Sequence, residues 1–221
     1  MNITRIAIVL NGRFPTTKAY GVTTCMTLET LLKEKYETKI FASPSNYFDD
    51  DHAKIMSSVL YFQQNFMVKN LIRFGEKGSS KFHQIFWFIG QNFQVFTNLS
   101  KVRNFEPNVL WLRDPWIALL LLRKITNSRI ILEVHGRSAK LVYKILYKYK
   151  NRISFFAIND VNERYLKTIM PNIKVGLAPM GIDKTNLATV VEIKQFVGTI
   201  RNPSRHFLKI GYIGKSRRKV T

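Results

Sequence analysis

Four groups of residues in this 221-residue chain combine side chains and spacing suited to chemistry. In Glu133-Val-His135-Gly136 a carboxylate and an imidazole stand two positions apart at the end of the apolar run Arg129 to Val134. If that run is a strand, both side chains share one face, and the imidazole lies beyond the strand's carboxyl end. The alternative is a histidine satisfied within the fold, and the strand-end position followed by glycine puts a ligand contact on an equal footing with it. Arg113-Asp114-Pro115 likewise follows an apolar run, Val109 to Leu112. Asp114 suits a helix cap and Pro115 a first helical turn. Arg113 then remains either as a cation for a ligand or as half of a surface ion pair, with Glu133 as its candidate partner.

Two further groups suit anions. The loop Asn11-Gly-Arg-Phe-Pro-Thr-Thr-Lys-Ala-Tyr-Gly21 leads into a helical pattern carrying Cys25, Leu28, Leu31 and Leu32. A helix start offers free backbone N–H groups, and Gly21 permits a close backbone approach. The dinucleotide fingerprint G-x-G-x-x-G is absent, and a purely structural turn is the other reading. Lys140, Lys144 and Lys148 form a stripe at i, i+4, i+8, with Leu141, Ile145 and Leu146 on another stripe and Tyr143 and Tyr147 alongside. This pattern suits either an anionic membrane surface or a merely solvated face.

Parallel strands separated by helices would position these groups. Arg5 to Leu10, Thr38 to Ala42, Val109 to Leu112, Arg129 to Val134, Phe155 to Asn159 and Lys174 to Ala178 read as short buried strands. Helical stretches follow at Pro115 to Ile125, Ser138 to Tyr149 and Val161 to Met170. The alternation predicts an α/β fold, a doubly wound Rossmann-like parallel sheet with helices on both faces. Between Ser43 and Pro107 no strand is evident. An aromatic-rich stretch there, broken near Gly75 to Ser80, predicts one or two core-packing helices, the alternative being exposed aromatics that meet a membrane or an acceptor. Lys209 to Gly214 reads as one more strand, so residues 1–200 are expected to form the first domain and 201–221 a linker with the opening strand of a second.

Composition narrows the class. With 46% hydrophobic and 13% aromatic residues the chain is not of the disordered type. Its 35 Lys and Arg against 14 Asp and Glu give a net charge of +21, which favours phosphate-bearing partners: nucleic acid, anionic lipid or nucleotide. Arg137 to Arg152 carries six basic residues and no acid, and Arg201 to Thr221 carries seven and none. A single cysteine, Cys25, forms no internal disulfide and no cysteine metal cluster, which fits the cytosol. The apolar runs Ile6 to Leu10 and Trp116 to Leu122 are too short for a signal-peptide core or for the roughly 20 residues of a membrane span.

The order of the pieces is more specific than any one of them. The opening strand, Ala19-Tyr20-Gly21, Val109 to Arg113, Glu133 to Gly136, Ala178-Pro-Met-Gly-Ile-Asp183 and Lys209-Ile-Gly-Tyr-Ile-Gly214 together resemble, over nearly the whole chain, the amino-terminal half of GT-B glycosyltransferases of the large family-4 type. The resemblance implies a two-domain enzyme that transfers a sugar from a nucleotide-sugar with retention of configuration, with no metal and no further cofactor. It implies that Gly21 lies against the donor diphosphate, that His135 contacts the transferred sugar as the catalytic residue, and that Gly214 with Lys215, Arg218 and Lys219 begins the second domain's phosphate loop. Arg13, Lys18, Tyr20 and Arg113 become acceptor-side candidates. The family has a lysine followed by glycine after the Gly214 turn, whereas Val220 follows Lys219 here, which leaves open which of Lys215, Arg217, Arg218 and Lys219 takes that role. The donor-binding domain with its paired glutamates is missing from the sequence, so the chain reads as half a catalyst whose second domain is supplied in cis or in trans.

The expected function is therefore the acceptor-side domain of a glycosyltransferase. It would use a glycan or lipid-linked acceptor in the cytosol, at the inner face of a membrane that Lys140, Lys144 and Lys148 contact. The rival reading is a non-enzymatic basic module for nucleic acid, against which stands the lack of a helix-turn-helix, zinc-finger or RNP-type motif, so no specific nucleic acid is expected. A folded remnant without activity is the third.

Overall fold

Apolar runs with β-branched residues become strands covered on both faces, because only burial on both sides gives a continuous apolar run somewhere to go. In the computed structural model, which describes residues 4–16, 19–45, 55–78, 80–136 and 139–177, seven such strands form one sheet. They are β1 (Arg5–Phe14), β2 (Glu37–Pro44), β3 (Val59–Tyr61), β4 (Val109–Leu112), β5 (Arg129–Val134), β6 (Ile153–Ala157) and β7 (Val175–Leu177). Every neighbouring pair is parallel, and the order is β3-β2-β1-β4-β5-β6-β7. The first six strands follow the Rossmann order, in which the chain winds outward from β1, returns, and winds the other way from β4. The described residues all lie within the compact unit Met1–Gly181.

The helices are α1 (Ala19–Lys33), α2 (Phe66–Glu76), α3 (Lys81–Thr97), α4 (Leu99–Asn104), α5 (Pro115–Lys124), α6 (Lys140–Tyr147) and α7 (Asp160–Ile169). Alternation along β1 sorts them onto two faces. Ile8, Leu10 and Phe14 pack with Leu28 of α1 and Ile40 of β2. Ala7 and Val9 join the other core, with Leu121 of α5, Leu146 of α6 and Leu166 of α7. Fully buried side chains such as Phe14, Phe41 and Leu28 contribute on the order of 1.5–3 kcal/mol each.

The structure departs from the sequence reading in four places. β1 runs on through Asn11–Phe14, read as loop, because a register shift between Val9 and Arg13 lets Arg13 and Phe14 pair with Ser43 and Pro44. β3 was not expected, because three residues at the sheet edge are too few to show a period. β6 ends at Ala157, since Asn159 turns to cap α7, its side chain accepting from the Asn162 N–H. Helix α6 spans Lys140–Tyr147, and its buried face is Val142, Tyr143 and Leu146, while Leu141 points outward and is 69% exposed.

The aromatic stretch corrects a further expectation. It forms the helical hairpin α2–α3, whose two helices approach closely at glycines. A Cβ on Gly75 would lie 2.5 Å from the Trp87 backbone nitrogen, and one on Gly90 would lie 2.9 Å from Ile72 Cγ1. Gln91 and Gln94 are buried on α3 beside Gly90, with Gln94 Oε1 accepting from the Ser43 hydroxyl at 2.6 Å. The close helix approach leaves Phe66, Phe74, Phe82 and Phe96 outward and exposed. Positions 178–221, including Gly214, Lys215, Arg217, Arg218, Lys219 and the strand expected at 209–214, lie outside the described residues, as does Lys18.

Candidate functional site

Open parallel sheets bind ligands outside the strand carboxyl ends, at the point where the winding direction reverses. Here that point lies between β1 and β4, and side chains from the ends of β1, β4 and β5 meet there. Leu112 pairs with Leu132, so Arg113 and Glu133, each one residue further along its chain, fall beside one another. Arg113 Nε donates to Glu133 Oε2 at 3.1 Å, and the indole Nε1 of Trp111 donates to the same oxygen at 3.1 Å. The other oxygen, Oε1, lies 3.0 Å from His135 Nε2.

This carboxylate is enclosed: the Glu133 side chain is 10% exposed and that of Arg113 15%, whereas His135 is 30% exposed. Burial by itself raises the Glu133 pKa. The hydrogen bond from His135, the Arg113 charge and the Trp111 indole more than offset that, and hold it at about 2. An ionised carboxylate only accepts, so Nε2 carries the hydrogen in the His135 pair, and Nδ1 remains as the ring's second polar atom. Glu133 thereby orients the imidazole and selects its tautomer.

The network continues to the start of α1. Arg113 Nη1 donates to the Tyr20 carbonyl at 2.9 Å, and the Tyr20 hydroxyl donates to the Arg13 carbonyl at 2.8 Å. Burial pushes the Tyr20 phenol up, against the lowering effects of Thr16 and Arg13. The winding reversal is bridged directly: Asn11 Nδ2 donates to Asp114 Oδ2 at 2.6 Å. Asp114 caps α5 as its type suggests, Oδ1 accepting from the N–H groups of Trp116 and Ile117. Burial raises the Asp114 pKa, opposed by those bonds.

Arg113, Glu133 and His135 are brought into contact, and Arg113 is an enclosed ion-pair partner rather than a surface one. Tyr20 joins them through its carbonyl. Arg13 stands exposed, paired with Glu76 at 2.8 Å. Lys140, Lys144 and Lys148 are exposed on and just after α6, but Tyr143, placed beside them by sequence, is buried, with its hydroxyl 3.4 Å from the Gly136 carbonyl. Burial, with Tyr165 and Asp114 nearby, pushes that phenol up. Cys25 is likewise pushed up, to about 11, by burial and the Glu29 charge, and stays a thiol at neutral pH. Sequence reasoning missed Asn11, Trp111 and Asn162. Trp111 was discoverable, lying two residues before Arg113 on the same strand face. Asn162, which donates to the Val134 carbonyl at 3.0 Å from a distant helix, left no local signal.

Gly21 lies in the first turn of α1, and its need for glycine is one of space. A Cβ there would collide with the Thr16 carbonyl, whereas one on Gly136 would meet nothing within 4 Å. Gly21→Ala is therefore expected to destabilise by about 1–3 kcal/mol, the usual cost of overpacking, and Gly136→Ala by much less. Thermal unfolding of the two variants checks this; equal shifts in Tm would contradict it.

A separate cavity of about 940 Å3 opens at the amino ends of the strands, lined by Arg5, Glu37, Glu106 and Asn127 among others. Arg5 there is already paired with Glu37 at 3.3 Å and Glu106 at 2.9 Å. It is on the edge opposite the strand ends that bind ligands in such sheets. Among the described residues no group of three or more His, Cys, Asp or Glu could hold a metal ion, and no helix is long and apolar enough to cross a membrane.

No family model matches the chain, and no curated protein matches it in sequence. Among solved structures it is similar to a glycosyltransferase from Rickettsia africae ESF-5, with a TM-score of 0.49 and 13% identity over 92% of this chain and 51% of that one. It is also similar to the N-terminal domain of Candida albicans trehalose-6-phosphate phosphatase, with a TM-score of 0.49 and 16% identity over 90% of this chain and 56% of that one. The chain spans about half the length of each of these two structures.

Proposed function

We propose that this chain is the acceptor-side domain of a retaining GT-B glycosyltransferase, taking part in sugar transfer from a nucleotide-sugar to a glycan or lipid-linked acceptor without a bound metal. The observation that carries the reading is the continuous chain Tyr20–Arg113–Glu133–His135 at the winding reversal of the sheet. It links a helix start to an oriented imidazole beyond a strand end. The order of the sequence motifs supports the same reading.

In this proposal His135 offers Nδ1 to a hydroxyl of the transferred sugar, while Glu133, fixed by Arg113 and Trp111, keeps the ring in place. The turn around Gly21 provides backbone N–H groups and a positive helix end toward the donor diphosphate. Arg13, Lys18 and Arg113 are the acceptor-side cations, with Arg113 acting mainly by positioning Glu133 and α1. Gly214, Lys215, Arg218 and Lys219 would serve the leaving diphosphate, with the donor-binding domain supplied in cis or in trans. The exposed Lys140, Lys144 and Lys148, with Leu141 outward between the first two, suit an anionic membrane surface beside the acceptor.

The test is a titration of the isotope-labelled chain with uridine and guanosine diphosphate sugars, followed by amide NMR shifts. Saturable shifts centred on Gly21, Arg113, His135 and Gly136 are expected. Shifts confined to other surfaces, or a DNA or RNA sequence bound roughly a thousandfold tighter than others at physiological salt, would overturn the reading.

A further inference from the structure

The hairpin α2–α3 turns an apolar face away from the rest of the fold. On α3, Phe82, Ile85, Phe86 and Ile89 recur at i, i+3, i+4 and i+7, so they lie along one side of the helix. Phe82 is 59% exposed, Ile85 54% and Ile89 45%. On α2, Phe66 is 83% exposed and Met67 50%. The two helices share this face: Phe66, Met67, Asn70, Leu71 and Phe74 of α2 line a groove of about 390 Å3 with Phe86 of α3. The rings of Phe74, Phe82 and Phe86 pack edge-on at 4.8–6.2 Å between centroids, holding the face together near the hairpin tip. Exposed apolar patches of this kind mark interaction surfaces.

Charge identifies the partner. Lys69, Arg73, Lys77 and Lys81 are all exposed on the same hairpin. Between Asp51 and Glu106 the one acid in the sequence is Glu76, and it is occupied by Arg13 at 2.8 Å. An apolar face with exposed aromatic side chains and a basic rim matches an anionic bilayer surface, which accepts apolar side chains at the headgroup boundary and attracts cations around them. A second copy fits poorly, because a two-fold contact places the same patch against itself and sets one basic rim against the other. The 201–221 stretch, with seven basic residues and no acid, fits poorly for the same reason.

We infer that the α2–α3 face is a membrane-docking surface for anionic lipid, in which Phe66, Met67, Phe82, Ile85 and Ile89 enter the interface and Lys69, Arg73, Lys77 and Lys81 contact headgroup phosphates. The inference deepens the proposed membrane partner by assigning a second surface, distinct from the lysines of α6. It does not depend on sugar transfer.

Co-sedimentation of the full chain with vesicles of phosphatidylcholine alone, or with added phosphatidylglycerol, tests it without any sugar donor. The wild type is expected to bind the anionic vesicles at least tenfold better. Phe66→Ser with Met67→Ser and Ile85→Ser is expected to reduce that binding at least tenfold with circular dichroism and Tm unchanged, since all three side chains are at least half exposed. Tryptophan quenching by brominated lipid in the wild type gives an independent readout, because Trp87 lies on α3 and Trp116 packs on Phe88 of the hairpin at 5.9 Å. Unchanged binding by the triple variant, absence of quenching, or loss of binding only with Lys140→Glu, Lys144→Glu and Lys148→Glu would each overturn the inference. So would a wild-type dimer that the triple variant converts to monomer. None of these outcomes bears on the nucleotide-sugar titration, so the two proposals fail separately.

Discussion

Glu133→Ala is expected to destabilise the fold by about 3–5 kcal/mol at neutral pH, the usual cost of removing one member of an enclosed ion pair. Arg113 would keep only its bond to the Tyr20 carbonyl, and the Trp111 indole would lose its acceptor. The wild type should also show a characteristic acid sensitivity. The Glu133 pKa is held at about 2 in the folded state against an ordinary 4.5. A group depressed on folding contributes its full stabilisation above its unfolded value and loses it as pH falls through the folded one. About 3 kcal/mol should therefore disappear between roughly pH 5 and pH 2. Denaturant unfolding at stepped pH checks both parts. Glu133→Gln, which keeps the shape and lacks the charge, should be less stable at neutral pH and flatter over that window. A variant with the wild-type slope would show that other carboxylates carry the acid response.

The second large effect concerns catalysis. With the donor-binding domain supplied in cis or in trans, His135→Ala is expected to lower acceptor-dependent release of nucleotide by about 100–1000-fold, the range for removing one positioned hydrogen-bonding group at a reaction centre. Folding should be nearly unaffected, because the imidazole is part exposed and Glu133 retains Arg113 and Trp111. A structural histidine gives the opposite pattern, a lowered Tm with activity per folded molecule unchanged. Glu133→Gln separates positioning from contact: a carboxamide can turn either its oxygen or its nitrogen toward Nε2, so the tautomer of His135 is no longer dictated. Nitrogen NMR of the ring should show one tautomer in the wild type and a mixture in Glu133→Gln. Residues 1–221 alone are expected to transfer little or no sugar, and robust acceptor-dependent turnover by that chain would refute the proposal that half of the catalyst lies elsewhere.

Much of the site could be read from the chain because the relevant signals are local. Apolar runs of four to six residues set β4 and β5, so Arg113 and His135 had to stand just past strand ends. Asp114-Pro115 had to start a helix, since a carboxylate cap and a proline with no N–H to lose satisfy its first turn. The sequence by itself thus determined the class of fold and the edge of the sheet on which to look.

Only tertiary structure decided which side chains touch. That Glu133 takes Arg113, Trp111 and His135 together depends on the register Leu112 with Leu132, and no single strand encodes its partner's register. That Tyr20 offers Arg113 its carbonyl, while its hydroxyl serves Arg13, depends on where α1 lands on the sheet. The aromatic stretch shows the same limit from the other side. Its period declared helices and not their environment, because Gly75 and Gly90 let α2 and α3 close on Trp87 and Ile72 and left Phe66 and Phe82 more than half exposed. Periodicity is a property of one segment, whereas burial is a property of the pair that meets, and the geometry of that meeting is set by backbone approach across 15 residues of chain from Gly75 to Gly90.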